Sequence, residues 1–183
     1  MSVSVKELRN QAVRENEKGE LDVERWIKET TRQIWDKKLV GMIYEYYQKD
    51  AVIHAGAGKK VEGAQAIVED TLTRQSAFPD IKIVVLDVIW SGNKEEGYRT
   101  SMPSYMVGTN TKPSIYGPPT GKKLTRENNL GVANCLVKKV DGKWQYVEEW
   151  SQYDTEAMKR VCTTDEPIKE YKDKEGQTDS SQF

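Results

Sequence analysis

The sequence predicts an α+β fold in which helices come first and a strongly curved antiparallel sheet follows. Apolar residues recur at helical spacing between residues 22 and 77. β-rich segments joined by short turns fill residues 81–150, and no internal repeat interrupts this order. Helices on one side of such a sheet enclose a conical pocket, and pockets of this kind bind small ligands.

The composition restricts the class of protein. Charged residues make up 31% and hydrophobic residues 37% of the 183 positions, and the net charge is −1. No apolar run approaches the roughly 18 residues needed to cross a bilayer, and the N-terminus lacks the apolar core of a signal peptide. No basic stripe occurs, so we expect neither nucleic acid nor a membrane as a partner. These features predict a cytoplasmic protein whose two cysteines are reduced.

The chain divides into three parts. We expect residues 1–21 to form a helical extension, residues 22–162 to form one folded domain and residues 163–183 to form a polar tail. The tail contains too few apolar side chains to be ordered by burial.

Three helical segments precede the long strands. Asp22 is positioned to cap the first of them, which carries an apolar stripe at alternating spacings of three and four residues. A second segment over residues 38–47 places Tyr46 on its apolar side. The third covers residues 64–77 and ends before Pro79, because proline disfavours helix in the residue that precedes it.

Five segments have the residue pattern of strands, and the second of them is apolar on both faces, which is typical of a central strand. They occupy residues 50–56, 81–90, 97–108, 124–140 and 144–150. An Asp141-Gly142 turn begins the last strand. With a side-chain period of two, Glu148 and Trp150 share one face of that strand and Glu149 lies on the other. The sequence leaves open which of the two glutamates faces the pocket.

Residue types that hold metals or phosphates are scarce. The chain contains one histidine, His54, and no Cys-x-x-Cys pair, so we expect no metal site. Residues 117–122, GPPTGK, lack the glycine spacing of a phosphate loop, and the two prolines remove backbone donors.

Four motifs, in their order and spacing, resemble one family. They are YYQKDAVIH at residues 46–54, EG at 62–63 with a helix that ends in AFPD at 77–80, GTNT at 108–111 with GPPTGK at 117–122, and VEEW at 147–150 followed by Asp154. Together they are similar to the SnoaL-like polyketide cyclases of the nuclear transport factor 2-like superfamily, over residues 23–160.

The resemblance implies a cone-shaped barrel, a homodimer, and cofactor-free acid–base chemistry on a small hydrophobic carbonyl substrate. It implies that Asp154 moves the proton, as general base and then as general acid, and that Trp150 lines the pocket. Asn110 stands where the family often has histidine. Asparagine can donate a hydrogen bond to an enolate oxygen but cannot carry a proton.

Other side chains are candidates for the remaining tasks. Histidine ionises near neutral pH, which makes His54 a candidate for a second proton carrier. Tyr98 and Arg99 are candidate donors to an oxyanion, and Tyr46 and Glu149 are candidate substrate contacts.

Each of these assignments has a structural alternative. A histidine at the end of a strand is more often held by its neighbours. Arg99 can pair with a carboxylate, and Tyr46 can belong to the core. An aspartate that follows a strand, as Asp154 does, is more often solvated or the N-cap of a helix.

Two functions therefore stay open. The chain is either a lyase or isomerase of the cyclase or dehydratase type, or a non-catalytic module that binds a small ligand or mediates dimerisation. The enzyme hypothesis predicts that Asp154 and at least one of His54, Asn110 or Tyr98 converge on one cavity. The binding-module hypothesis predicts a filled cone, or an Asp154 that points into solvent.

Overall fold

The structure, a computed structural model, describes residues 3–163. The predicted tail, residues 163–183, lies outside the described residues except for its first position. Helices come first and strands follow, as the sequence predicts. The helices are α1 Val5–Ala12, α2 Val23–Thr31, α3 Ile43–Tyr46, α4 Ala64–Ala77 and α5 Thr155–Cys162. The strands are β1 Tyr47–Ala55, β2 Lys60–Glu62, β3 Lys82–Val85, β4 Ile89–Asn93, β5 Gly97–Thr109, β6 Lys123–Leu124, β7 Leu130–Val140 and β8 Lys143–Tyr153.

Side-chain caps fix where the first helices begin. Ser4 and Glu7 form a reciprocal capping box at the start of α1. Asp22 caps α2 as predicted, and its carboxylate accepts a hydrogen bond from the backbone N–H of Arg25 at 3.2 Å. The buried side of α1 belongs to the same core as α2, so this helix packs onto the domain. None of the helices within residues 3–163 is long and apolar enough to span a membrane.

The eight strands form one curved sheet that does not close into a complete barrel. Their hydrogen-bonded order is β2-β1-β8-β7-β5-β3, and β4 and β6 also pair with β5. Strands β1 and β8 run parallel, whereas the other neighbours run antiparallel. The predicted α+β fold, with a curved sheet and N-terminal helices that enclose a pocket, is confirmed, and the parallel pair is an addition to it.

Two strand predictions were wrong in detail. Residues 81–90 do not form one central strand, because β3 and β4 lie end to end along the same edge of β5. Ile89 is 60% exposed, so the apolar pattern there does not reflect burial on both faces. Residues 124–140 likewise divide into β6 and β7. The Asp141-Gly142 hairpin turn is confirmed, with φ of 49° and 78° at its two residues, as a type I′ turn requires.

The core lies between the concave face of the sheet and the helices. Large aromatic side chains fill most of it, including Trp26, Tyr46 and Trp144, which are almost fully buried. The inner positions of β7 instead hold small residues, Ala133 and Cys135. Small side chains at that level leave an unfilled space between the sheet and helices α2 and α4.

Candidate active site

The unfilled space is a cavity of about 70 Å³ lined by α2, α4 and the inner faces of β1, β5, β7 and β8. A second space of about 180 Å³ adjoins it on the side of α5, and we call this space the vestibule. Five residues line both spaces and form the neck between them: Asp70, Arg74, Met106, Ser151 and Tyr153. On the concave side of the sheet, the cavity and the vestibule therefore meet at a neck that carries polar side chains.

Glu149 is the acidic side chain that β8 places inside the cavity. The register pairs it with Ile53 of β1 and Cys135 of β7, which also line the cavity. Because side chains alternate along a strand, Glu148 and Trp150 are directed to the opposite, convex face of the sheet. The open question between the two glutamates is thus answered by strand register.

The surroundings of Glu149 favour its protonated form. Burial raises the pKa of this carboxyl above its usual value of 4.5, and the nearby Asp70 carboxylate acts in the same direction. The Tyr47 hydroxyl, which donates to Glu149 Oε2 at 2.8 Å, opposes this rise, as do Arg74 and Ser151. Desolvation is the largest of these effects. A carboxyl with a raised pKa can exchange protons near neutral pH.

Tyrosines surround this carboxyl and stay neutral. Burial raises the pKa of Tyr47 and Tyr146 well above the ordinary value for a phenol. Burial also raises the pKa of Tyr153 to about 12, and its hydroxyl lies 2.9 Å from Ser104 Oγ. The single O–H of Tyr47 is used on Glu149, and the Tyr146 hydroxyl lies 2.6 Å from Thr30 Oγ1. The Tyr153 hydroxyl can accept from Ser104, so its own proton can turn to a bound oxygen without ionisation of the phenol.

The neck carries an ion network on α4. Arg74 Nη2 donates to Asp70 Oδ2 at 2.6 Å, and Lys59 Nζ lies 2.5 Å from Asp70 Oδ1. The guanidinium of Arg74 also sits 6.0 Å from the centroid of the Trp35 ring, within cation–π range.

Asp154, the residue that the resemblance assigns as the base, caps a helix. Its carboxylate accepts a hydrogen bond from the backbone N–H of Ala157 at 2.8 Å, at the start of α5. Arg160 lies 3.7 Å from its second oxygen, and the Asp154 side chain is 49% exposed. It lines the vestibule and does not reach the inner cavity.

His54 and Trp150 lie on the convex face of the sheet, away from the cavity. His54 Nε2 is 2.8 Å from Glu148 Oε1, and its ring stacks on Trp150 with centroids 5.6 Å apart. The parallel register of β1 and β8 pairs these two residues directly. The expectation that Trp150 lines the pocket is therefore wrong, because the strand alternation places it outside. Arg99 is exposed and lies on this convex face as well.

Asn110 and Tyr98 hold the fold together at other places. Asn110 is buried, donates to Ala77 O at 3.0 Å and accepts from the backbone N–H of Thr120 at 2.8 Å. Tyr98 donates to the Glu20 carboxylate and accepts from the backbone N–H of Leu21 at 3.1 Å. Neither side chain lines the cavity or the vestibule.

Tyr46 belongs to the core. Its hydroxyl donates to Gln33 Oε1 at 2.6 Å, and its ring packs edge-on against Trp26. Of the eight residues that the sequence proposed, Glu149 alone lines the inner cavity, and Asp154, His54, Asn110 and Tyr98 do not converge there.

Several cavity residues escaped the sequence analysis. Tyr47 entered it only as part of the YYQKDAVIH motif, and the polar pair on α4 did not enter it. A signal did exist, because Ile67, Asp70, Thr71 and Arg74 follow the spacing of one helix face. Two charged residues on the same helix face as buried apolar residues indicate a polar patch on the inner surface of the helix.

Within residues 3–163, no group of three or more histidine, cysteine, aspartate or glutamate side chains is arranged to hold a metal ion. The described site contains a buried carboxyl, phenols and a guanidinium.

Comparisons with known proteins identify the fold. A structure provisionally named a SnoaL-like polyketide cyclase, from Jannaschia sp. CCS1, matches 80% of this chain and 96% of its own, with a TM-score of 0.57 at 17% identity. The chain has the SnoaL-like fold. No family model and no curated protein matches the sequence.

Other proteins with the SnoaL-like fold differ in their assigned chemistry. A provisionally named scytalone dehydratase from Novosphingobium aromaticivorans matches 72% of this chain and 80% of its own, with a TM-score of 0.57 at 13% identity. A provisionally named hydroxylase from Streptomyces galilaeus matches 72% of this chain and 89% of its own, with a TM-score of 0.55 at 19% identity. At such identities the likeness establishes the fold, and the chemistry must be argued from the site.

Proposed function

We propose that this chain is an acid–base enzyme of the lyase or isomerase type that moves a proton next to the carbonyl group of a small apolar compound. The observation that carries the proposal is the Glu149 carboxyl, which is enclosed in the cavity and has a raised pKa. A base of this kind takes a proton from carbon more readily because its affinity for a proton is increased while water is kept away from it.

The hydrogen bond from Tyr47 orients this base. Tyr47 donates to Oε2, and we assign Oε1 as the oxygen that takes the substrate proton. In the ionised form, Oε1 takes a proton from the carbon next to the carbonyl, and the electron pair of the broken C–H bond forms an enolate. The carboxylic acid then returns its proton to another carbon, or to a departing hydroxyl group, and Glu149 becomes a carboxylate again.

The finer assignment, a cofactor-free cyclase acting on a polyketide-like compound, has support from the fold and from two neighbouring structures that are provisionally named polyketide cyclases. The base in our proposal is Glu149 instead of Asp154, because Asp154 is engaged as a helix cap outside the inner cavity. Aldol closure, dehydration and double-bond shift all begin with the same proton transfer, so the proposal covers that shared step.

The alternative is a module that binds a small ligand in the same cavity without turnover. In that case Glu149 transfers no proton. Exchange of the methyl protons of acetophenone for deuterium in D₂O, followed by NMR, separates the two. We expect the wild-type chain to accelerate this exchange and Glu149→Gln to lower the rate by about 10²–10⁴-fold, the usual range for loss of a general base.

Glu148→Gln is the matched control, because it makes the same change one residue away on the convex face, where Glu148 contacts His54. We expect its exchange rate to equal that of the wild type. Equal rates for Glu149→Gln and Glu148→Gln, or no acceleration by the wild type over buffer across a panel of aryl ketones, would favour the binding module.

A further inference from the structure

The proposed reaction needs a group that binds the negative oxygen of the enolate, and the residues that the sequence suggested for this task lie elsewhere. Asn110 is held by Ala77 and Thr120, and Tyr98 is held by Glu20 and Leu21. Another donor must therefore face the cavity.

Arg74 stands at the right place. Its side chain lines both the cavity and the vestibule, so the guanidinium lies at the neck through which a substrate would enter. It is close enough to Glu149 to oppose the effect of burial on the pKa of that carboxyl. The side chain is 22% exposed, so most of its surface contacts protein and little of it contacts water.

Within residues 3–163, the hydrogen bond that the guanidinium makes is the one from Nη2 to Asp70. A guanidinium has five N–H donors, so most of them stay available to a bound molecule. The hydrogen bond to Asp70 and the contact with the Trp35 ring limit the orientations that the group can adopt. A donor that is already oriented needs little rearrangement when charge develops on the substrate.

The balance of charge indicates which kind of substrate fits. Asp70 contributes one negative charge at the neck, and Lys59 and Arg74 contribute two positive charges. Ionised Glu149 offsets the remaining positive charge. When Glu149 accepts the substrate proton it becomes neutral, and an equal negative charge appears on the oxygen of a substrate that began uncharged. Because these four charges cancel before a substrate binds, the neck and cavity favour a substrate that carries no charge of its own.

We infer that Arg74 is a catalytic residue that binds the oxyanion formed from an uncharged carbonyl substrate at the neck. This inference rests on the proposed function for its reaction, and it identifies the substrate class as neutral carbonyl compounds. The proton passes from the substrate carbon to Glu149, and the electron pair remains on the substrate as an enolate whose oxygen accepts hydrogen bonds from Arg74.

A binding experiment tests this without turnover. The probe is 4-nitrophenol, a planar phenol that becomes yellow when it ionises and whose phenolate resembles an aryl enolate. Titrated with the wild-type protein near pH 6, the bound probe is expected to show the phenolate absorbance, because Arg74 stabilises the anion and Glu149 can accept the proton. For Arg74→Gln we expect the bound probe to stay in the phenol form, with its apparent pKa raised by about one unit or more relative to the wild-type complex.

Three further variants separate catalysis from folding. Arg74→Lys keeps the charge without the planar set of donors and is expected to give an intermediate phenolate fraction. Asp70→Asn keeps Arg74 and removes a negative charge, so the phenolate fraction is expected to rise. Lys28→Gln removes a cation on α2 that pairs with Glu24 and lines neither space, and we expect it to behave as the wild type.

The inference is overturned if Arg74→Gln and the wild type ionise the bound probe to the same extent, or if the wild type binds it only as the phenol or not at all. These outcomes are independent of the deuterium exchange experiment. Loss of exchange in Glu149→Gln together with an unchanged phenolate fraction in Arg74→Gln would leave the proposed function in place and remove Arg74 from it.

Discussion

Adjacent glutamates on β8 show how the environment of a single residue sets its chemistry. Glu149 is enclosed with Tyr47 and Cys135, whereas Glu148 is partly exposed beside His54. The two residues are adjacent in the sequence, but their side chains lie on opposite faces of the sheet. Because both residues are chemically identical, the acid–base role that we propose for Glu149 rests on its enclosed environment.

The raised pKa of Glu149 predicts how stability depends on pH. A carboxyl that binds its proton more tightly in the folded state than in the unfolded state loses stabilisation as pH rises from about its ordinary value of 4.5 through its raised folded value. Glu149→Gln has no proton to lose. We therefore expect the variant to become more stable relative to the wild type as pH increases through this window, measured by urea unfolding. A difference that does not change with pH would contradict the assignment.

Asp154 allows a direct comparison of the two candidate bases. Asparagine is as good an N-cap as aspartate, so Asp154→Asn is expected to retain both stability and the exchange rate of the wild type. Asp154→Ala removes the acceptor for the Ala157 N–H and is expected to lower the free energy of unfolding by about 1 kcal/mol. If Asp154→Asn lost exchange activity as completely as Glu149→Gln, the base implied by the family resemblance would be the correct one.

At the scale of elements, small residues on β7 and the aromatic end of β8 shape the cavity. Gly131 pairs with Tyr153 across the two strands, and a Cβ added at Gly131 would lie 2.3 Å from the Tyr153 ring and 2.5 Å from Gln152 O. The Tyr153 ring therefore occupies its place at the neck only because residue 131 has no side chain.

Gly131→Ala is expected to destabilise the protein by about 1–3 kcal/mol, since the ring and the backbone of β8 must both move. The measurement is the midpoint of thermal or urea unfolding. Gly142→Ala would not be a matched control, because its φ of 78° adds strain of another kind. Ala133→Gly, two residues along the same strand, is the better comparison, and a larger cost there than at Gly131→Ala would contradict this account.

The sequence predicted the elements better than it predicted the site, for a physical reason. Strand alternation correctly separated Glu148 and Trp150 from Glu149, because the period of two is a local property. Which face is concave depends on how β1 and β8 pair and where the helices pack, and these contacts join residues about 100 positions apart. The paired edge strands β3 and β4 were missed for the same reason, since an apolar segment does not show which neighbour it has.

At the scale of the whole molecule, the cavity and the convex face of the sheet lie on opposite sides of the same strands. The helices pack on the concave side, so the hydrophobic core and the cavity both lie there. The convex side carries partly exposed residues from neighbouring strands: Val52, His54, Val132, Leu136 and Trp150. A stable dimer buries about 800 Å² on each partner, and an extended sheet face can supply such an area.

The homodimer implied by the family resemblance is therefore expected to use this convex face. Trp150, stacked on His54 near its centre, is the side chain whose replacement should matter most. We expect the wild type to behave as a dimer in size-exclusion chromatography with light scattering and Trp150→Lys to behave as a monomer. Leu72→Lys makes a comparable change on the exposed side of α4, where Leu72 is 48% exposed, and it should leave the dimer intact. A monomeric wild type, or a dimeric Trp150→Lys, would show that the convex face does not mediate self-association.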